Sequence, residues 1–430
     1  MPMIRHHRAR VIALLMFLAP LICLPMTAIG DEMDEDEKEV AQAQQADDAD
    51  TEQASVPTLL DIAEDADLPL GNDAEPESEP ADERGPFEIL DSTVPVNGFD
   101  TLYWLPDQSF PSIATPVPVL VAHGEQPGPV LCLTAAVHGD ELNGVEMVRQ
   151  LMFELDPERL AGTVVGVPIV NIEGFRSGSR YLSDRRDLNR YFPGNASGSS
   201  ASRIAHSLFD NIVRRCDYLV DLHTGSQRRI NLPQLRADLD DSRVLAFAQQ
   251  FGGITVLHSP GVSGMLRDAA VKEDIIAVTM EAGGPNRLEQ DAVRYGVQAL
   301  ETLMQNLNMR KARRFWSAPQ PMFYESSWVR AEQGGILLSQ VSLNDTVREG
   351  QVLGIVTDPV SNTGSAVLSP FNGRVLGMAE DQVVHAGYAV YRIGEERSAR
   401  ELEARASEPS SQAPTQQAAP EPDEEVDHEE

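Results

Sequence analysis

Between residues 86 and 318, short apolar runs alternate with longer stretches in which apolar side chains recur every three or four positions. The runs at 117–121, 130–137, 164–170, 218–222, 254–257 and 275–280 predict strands. The stretches 142–154, 201–215, 243–251 and 287–308 predict helices. This alternation predicts an α/β layer fold around a mixed, mainly parallel central sheet. The first run and its neighbours are expected to pair antiparallel. After Pro319 the rhythm changes. Residues 319–394 show short apolar runs about every ten residues, separated by Gly-containing turns, with no helix-length stretch. A small all-β module, a compact barrel or sandwich, is expected there.

The chain ends follow another pattern. Residues 1–30 combine a short Arg-bearing start, an apolar run over 11–23 and small residues at Ala28 and Gly30, which together predict a signal peptide. Residues 31–85 are rich in Asp, Glu, Gln, Ala and Pro and predict a disordered acidic linker. Residues 395–430 predict a disordered acidic tail. The net charge of -33 is therefore concentrated at the ends: 31–90 hold 22 acids against Lys38 and Arg84, while 91–394 hold 33 acids against 26 bases. No basic patch is evident, so nucleic acid is not an expected partner. One long apolar run excludes a multi-span membrane protein, and none remains after signal removal. The localisation expected is export, to a bacterial periplasm or outside the cell. Of the three cysteines, Cys132 and Cys216 lie outside the signal. They allow one disulfide, but Cys132 sits in an apolar run and reads more simply as a small buried hydrophobe.

The candidate chemistry lies at strand ends. His138-Gly-Asp-Glu141 directly follows the run ending at Val137. An HxxE pair on such a turn can bring an imidazole and a carboxylate onto one metal ion, and open α/β sheets place sites at this edge. His223, in Asp-Leu-His-Thr-Gly, ends another run and offers a third ligand, leaving room for water. His138 alone reads as a hydrogen-bonded loop histidine. Glu281 ends a third run and can face the same edge as a base for metal-activated water; its plainer reading is a capping or salt-bridging acid. Arg176, Arg180, Arg185 and Arg186 precede Asp187-Leu-Asn189-Arg190. Guanidinium forks suit a substrate carboxylate, although surface ion pairs explain such a cluster equally well.

The ordered set His138-Gly-Asp-Glu141-Leu-Asn-Gly144, Asn171 to Gly174, Arg180-Tyr181, Asp187-Leu-Asn189-Arg190-Tyr-Phe-Pro193-Gly194, Asp221-Leu-His223-Thr-Gly225 and Glu281-Ala-Gly resembles the succinylglutamate desuccinylase/aspartoacylase family, a branch of the zinc carboxypeptidase-like fold. The resemblance covers about 115–310. It implies a catalytic domain over 86–318 and one zinc ion per chain on His138, Glu141 and His223. It implies Glu281 as general base, Arg180 at the scissile carbonyl, and Asn189 and Arg190, with Arg176 beside them, at the substrate carboxylate. Arg185-Arg186 replace the Asp-Gly that related exopeptidase-like sequences carry before the DLNR motif, which adds positive charge at the mouth. Residues 329–394 resemble the family's β-rich C-terminal domain, akin to lipoyl and biotinyl half-barrels. No Lys occurs in 315–394, so a swinging-arm role is not expected. The implied activity is hydrolysis of the amide of an N-acyl amino acid or similar small carboxylate-bearing amide. Two alternatives stand beside it: an exported metallocarboxypeptidase acting on short peptides, including cell-wall peptides, and a non-catalytic binding protein on the same scaffold.

Overall fold

The computed structural model describes residues 84–106, 115–226, 228–311, 321–380 and 382–395. The expected signal peptide, almost all of the acidic linker, and the tail beyond Glu395 lie outside the described residues. The first strands are β1 (Phe87–Ile89), β2 (Ser92–Val94), β3 (Gly98–Trp104), β4 (Val117–His123) and β5 (Gln126–Ala135). Then come α1 (Leu142–Glu154), β6 (Ala161–Val167), α2 (Ile172–Ser177), α3 (Ser200–Asn211), β7 (Tyr218–His223) and β8 (Arg229–Ala237). Next are α4 (Ser242–Ala248), β9 (Thr255–His258), α5 (Leu266–Lys272), β10 (Ile276–Gly283) and α6 (Gln290–Asn306). The C-terminal strands are β11 (Met322–Phe323), β12 (Ser326–Arg330), β13 (Gly335–Ser339), β14 (Thr346–Val347) and β15 (Val352–Thr357). They continue as β16 (Gly364–Leu368), β17 (Gly373–Ala379), β18 (Val383–Val384) and β19 (Ala389–Glu395).

The large sheet runs β12-β19-β17-β8-β10-β7-β5-β6-β4-β3. It is mixed. Along this path the parallel pairings are at the centre, β10 with β7, β7 with β5, and β5 with β6. The flanks are antiparallel, including the expected β3–β4 and β4–β6 pairs. Both faces of the centre are covered, which is why its strands read as nearly continuous apolar runs. On β5, Leu131, Leu133 and Ala135 enter one core with α1 and α6, whereas Cys132 turns to the opposite core with α3 and α5. The same alternation sets the faces of β7 and β10: Val220, Leu222, Val278 and Met280 join the first core, and Leu219 and Ala277 the second. Asp221, His223, Thr279 and Glu281 therefore fall on the second face, by the period of two along a strand. α1 is amphipathic and buries Met147, Val148, Leu151 and Met152.

Beyond short elements such as α2 and α5, three larger features depart from the sequence expectation. β8 was not predicted, because Pro233 interrupts a run that mixes polar and apolar residues. The C-terminal strands form the expected small antiparallel β module, but it is joined to the main sheet rather than closed on itself. β17 pairs with β8, so β17, β19 and β12 extend the central sheet, while β16-β15-β13-β18 form a separate four-stranded sheet. Leu337, Val356, Val375 and Ile393 contribute to the core of this module. Finally, Cys132 is not merely a buried hydrophobe. It forms a disulfide with Cys216, with Cα atoms 5.8 Å apart. Strands β5 and β7 are neighbours and bring the two together across a sequence separation of 84, a proximity no local pattern announces.

Candidate metal centre

The turn after β5 is shaped by two backbone demands. Ala136 adopts a left-handed conformation, φ 46°. Gly139 lies against the backbone of α2 so closely that a Cβ there would sit 2.0 Å from the Gly174 carbonyl carbon. Val170 and Asn171 N–H groups donate to the carbonyls of Ala135 and Ala136, and the Asn171 side chain caps α2 at Gly174. His138 and Glu141 are thereby pressed, buried, against the end of β7.

Three side chains converge there. His223 Nδ1 lies 3.2 Å from His138 Nδ1 and 2.8 Å from Glu141 Oε2, and His138 Nδ1 lies 2.9 Å from Glu141 Oε1. Four-coordinate ligands at 2.0–2.1 Å from a central ion stand about 3.3 Å apart. The donor set is therefore already gathered to the size of one small metal ion. Each imidazole places its other nitrogen on a carboxylate. His223 Nε2 donates to Asp221 Oδ2 at 2.7 Å, and His138 Nε2 to Asp187 Oδ1 at 3.0 Å. Both Nδ1 lone pairs are thereby turned to the common centre, the usual second contact of a metal-binding histidine. Asp221 is itself fixed by the Thr134 hydroxyl at 2.7 Å.

Charge gives the same answer. Glu141, Asp187 and Asp221 carry three negative charges. Arg180 returns one, donating to Glu141 Oε1 at 3.0 Å and to Asp187 Oδ2 at 3.1 Å. With neutral imidazoles the carboxylates outnumber Arg180 around the three side chains, which suits a cation at their centre. Glu141 is fully enclosed, yet the two histidines more than offset its burial and hold it well below the usual carboxylate range. Burial would push His223 down, but Asp221 and Glu141 outweigh it and hold the ring well above its ordinary value. Asp187 is likewise desolvated and still depressed, through His138, Arg180 and Arg190. A metal-free cluster thus keeps a proton where a cation belongs.

Glu281 is the Cα partner of His223 on the adjacent parallel strand, so the two side chains share a face. It accepts from Asn231 Nδ2 at 3.0 Å and pairs with Arg236 Nη1 at 2.9 Å, both on β8. Asn189 and Arg190 lie in a 3-10 turn over Leu188–Arg190, opened by the Asp187 side chain. The Asn189 side-chain carbonyl accepts from the Leu266 N–H at 2.8 Å, leaving its amide N–H groups for other partners. Arg190 is exposed and lies 3.9 Å from Asp187. Arg176 is not brought to this group. It sits on the exposed side of α2 and donates to Thr115 at 3.4 Å. The residues not anticipated are Asp187 and Asp221 as histidine partners, and the β8 groups Asn231 and Arg236. Asp221 carried a signal, since it stands two residues before His223 and so shares its face of β7.

A mixed sheet with buried His, Glu and His at the carboxyl ends of adjacent central strands, and a carboxylate beside them, defines a metal-dependent hydrolase. A family model for the succinylglutamate desuccinylase/aspartoacylase catalytic domain matches residues 127–307, and that segment belongs to the family. A solved structure described as succinylglutamate desuccinylase/aspartoacylase, from Rhodobacter sphaeroides, is 25% identical, with a TM-score of 0.63 over 70% of this chain and 96% of that one. The product-bound ectoine utilization protein EutE (DoeB) from Ruegeria pomeroyi shares the fold at 22% identity and a TM-score of 0.63, over 73% and 99% of the two chains. N-alpha-acetyl-L-2,4-diaminobutyric acid deacetylase of Halomonas elongata is 28% identical over 265 residues, which are 59% of this chain and 76% of that protein. The gathered His138, Glu141 and His223 together with the family match mark the protein as a metal-dependent hydrolase. Among the described residues, no helix is long and apolar enough to cross a membrane.

Proposed function

We propose that the protein holds one zinc ion per chain on His138, Glu141 and His223 and hydrolyses the amide bond of an N-acyl amino acid outside the cytoplasm. The observation that carries this is the meeting of two Nδ1 atoms and a carboxylate, each imidazole backed by an aspartate. When bound, zinc polarises the amide carbonyl and acidifies a water molecule at its open position. Glu281 takes a proton from the attacking water and returns it to the departing nitrogen. Arg180 presents guanidinium N–H groups to the oxygen that gains charge, in a site where aimed donors count most. Arg190 and the side-chain amide of Asn189 hold the substrate carboxylate and fix its orientation. Export is supported by the predicted signal peptide and by the Cys132–Cys216 disulfide, since such bonds persist in oxidising compartments.

The test is hydrolysis of a panel of N-acyl amino acids and short peptides by the zinc-loaded protein and by Glu281→Gln. The account expects N-acyl amino acids to be cleaved. It expects the variant to keep its metal and lose about 10²-fold or more in kcat. Near-normal turnover by Glu281→Gln removes the base assignment.

A further inference from the structure

The central sheet ends at β3, and this edge is open. Among the described residues, β4 is the one strand paired with it, along its whole length and without a bulge. One face of β3 is covered: Leu102 and Trp104 share a core with Ile89 and Val94 of β1 and β2. The other face carries Phe99, Thr101, Tyr103 and then Leu105, all exposed, Tyr103 by 63%. Phe153 of α1 extends it, 65% exposed and with its ring centre 5.8 Å from that of Phe99. An open edge presents unpaired N–H and C=O groups to any other strand, and proteins blunt such edges with Lys, Pro or bulges. β3 has none of these, and its single charge is Asp100.

The order of residues names the strand that fits. Phe99-Asp-Thr101-Leu-Tyr103 reads aromatic, Thr, aromatic on the open face from either end. The exposed Thr101 N–H donates to the Asp100 carboxylate at 2.7 Å, so the odd positions turn their backbone groups outward and the even ones turn theirs to β4. A two-fold axis through Thr101 sets this residue opposite its own copy and Phe99 opposite Tyr103 twice, all as hydrogen-bonded pairs. The aromatic and threonine pairs then share one face, where such cross-strand pairs stabilise a ladder. We propose that β3 pairs antiparallel with β3 of a second copy of this chain, joining two central sheets through an isologous interface. At about 200 Å² for a whole aromatic side chain, Phe99, Tyr103 and Phe153 expose roughly 330 Å² per copy, to which Leu105 and the strand edge add. A standard interface buries about 800 Å² per partner. The dimer is therefore a weak one, with dissociation expected at ~10 µM.

Sedimentation of the purified protein from ~1 to ~100 µM should show a monomer–dimer equilibrium. Thr101→Pro should weaken it tenfold or more, because it removes an outward N–H and leaves the bonds to β4 in place; circular dichroism confirms folding. Thr101→Cys gives a second reading. Opposed residues of a hydrogen-bonded pair stand about 5.5 Å apart, within disulfide reach, so oxidised glutathione should link this variant into dimers. Leu105→Cys is also exposed, but its two copies lie about 27 Å apart across the axis, and it should stay unlinked. Protein that remains monomeric at ~100 µM, with Thr101→Cys unlinked, overturns the proposal. A dimer that survives Thr101→Pro and is not linked by Thr101→Cys forms through another face and overturns it as well. If Thr101→Pro does not fold, the two cysteine variants decide alone.

Discussion

Replacing Asp221 by Asn leaves all three proposed metal ligands in place and should still weaken the metal. Asp221 is wholly buried, accepts from the Thr134 hydroxyl at 2.7 Å and from His223 Nε2 at 2.7 Å. The carboxylate therefore keeps the His223 proton on Nε2 and the Nδ1 lone pair toward Glu141 and His138. An asparagine whose carbonyl stays on Thr134 aims its amide N–H groups at Nε2. The ring proton then moves to Nδ1, where it blocks the metal. The rotated asparagine can accept from Nε2 again, with Thr134 accepting its amide, but it no longer supplies a charge. Partners of this kind are worth 10- to 100-fold in metal affinity, about 1.4–2.7 kcal/mol. The assay is zinc competition against a chromophoric chelator at fixed pH, with circular dichroism to confirm folding. A folded Asp221→Asn protein with zinc affinity within twofold of wild type refutes the argument that the carboxylate sets the tautomer.

Other consequences are separable from this one. Zinc affinity should rise with pH: in the metal-free protein His223 holds its proton above the ordinary range, so binding must displace it. By the same shift, the metal-free fold gains stability from protonated His223 below about pH 6.5 and loses it as pH rises through the raised value. Thermal unfolding of metal-free protein should therefore show a falling Tm on the alkaline side, a trend that a flat profile would contradict. Gly139→Ala should cost zinc affinity, because its Cβ cannot share space with Gly174, and chelator competition reads this directly. Joint replacement of Cys132 and Cys216 by Ala frees a loop of sequence separation 84 and should cost about 2–5 kcal/mol in equilibrium unfolding.

Much of the site could be read in advance because its parts are local. HxxE on a turn, His223 at the end of a run and Glu281 at the end of another each follow from strand periodicity, and the α/β alternation places those ends on one edge. Helix α1 runs over the predicted span, since its apolar spacing is regular and its start follows the HxxE turn. What escaped the sequence depends on long-range pairing. β8 mixes polar and apolar residues around a proline and becomes a strand only between β10 and β17. With it escaped Asn231 and Arg236, the groups that hold Glu281. The disulfide and the junction of the C-terminal strands with the main sheet are likewise products of register between distant segments. Arg176 shows the converse: proximity in sequence to Arg180 did not bring it to the cluster, because α2 turns it outward.

The central claim is that His138, Glu141 and His223 together bind one zinc ion. Elemental mass spectrometry of the protein lacking residues 1–30, beside its His223→Ala variant, measures this directly. The account predicts close to one zinc per wild-type chain and a large loss in the variant. Wild-type protein that carries no metal and takes up none from added zinc, or a variant that keeps full occupancy, contradicts it.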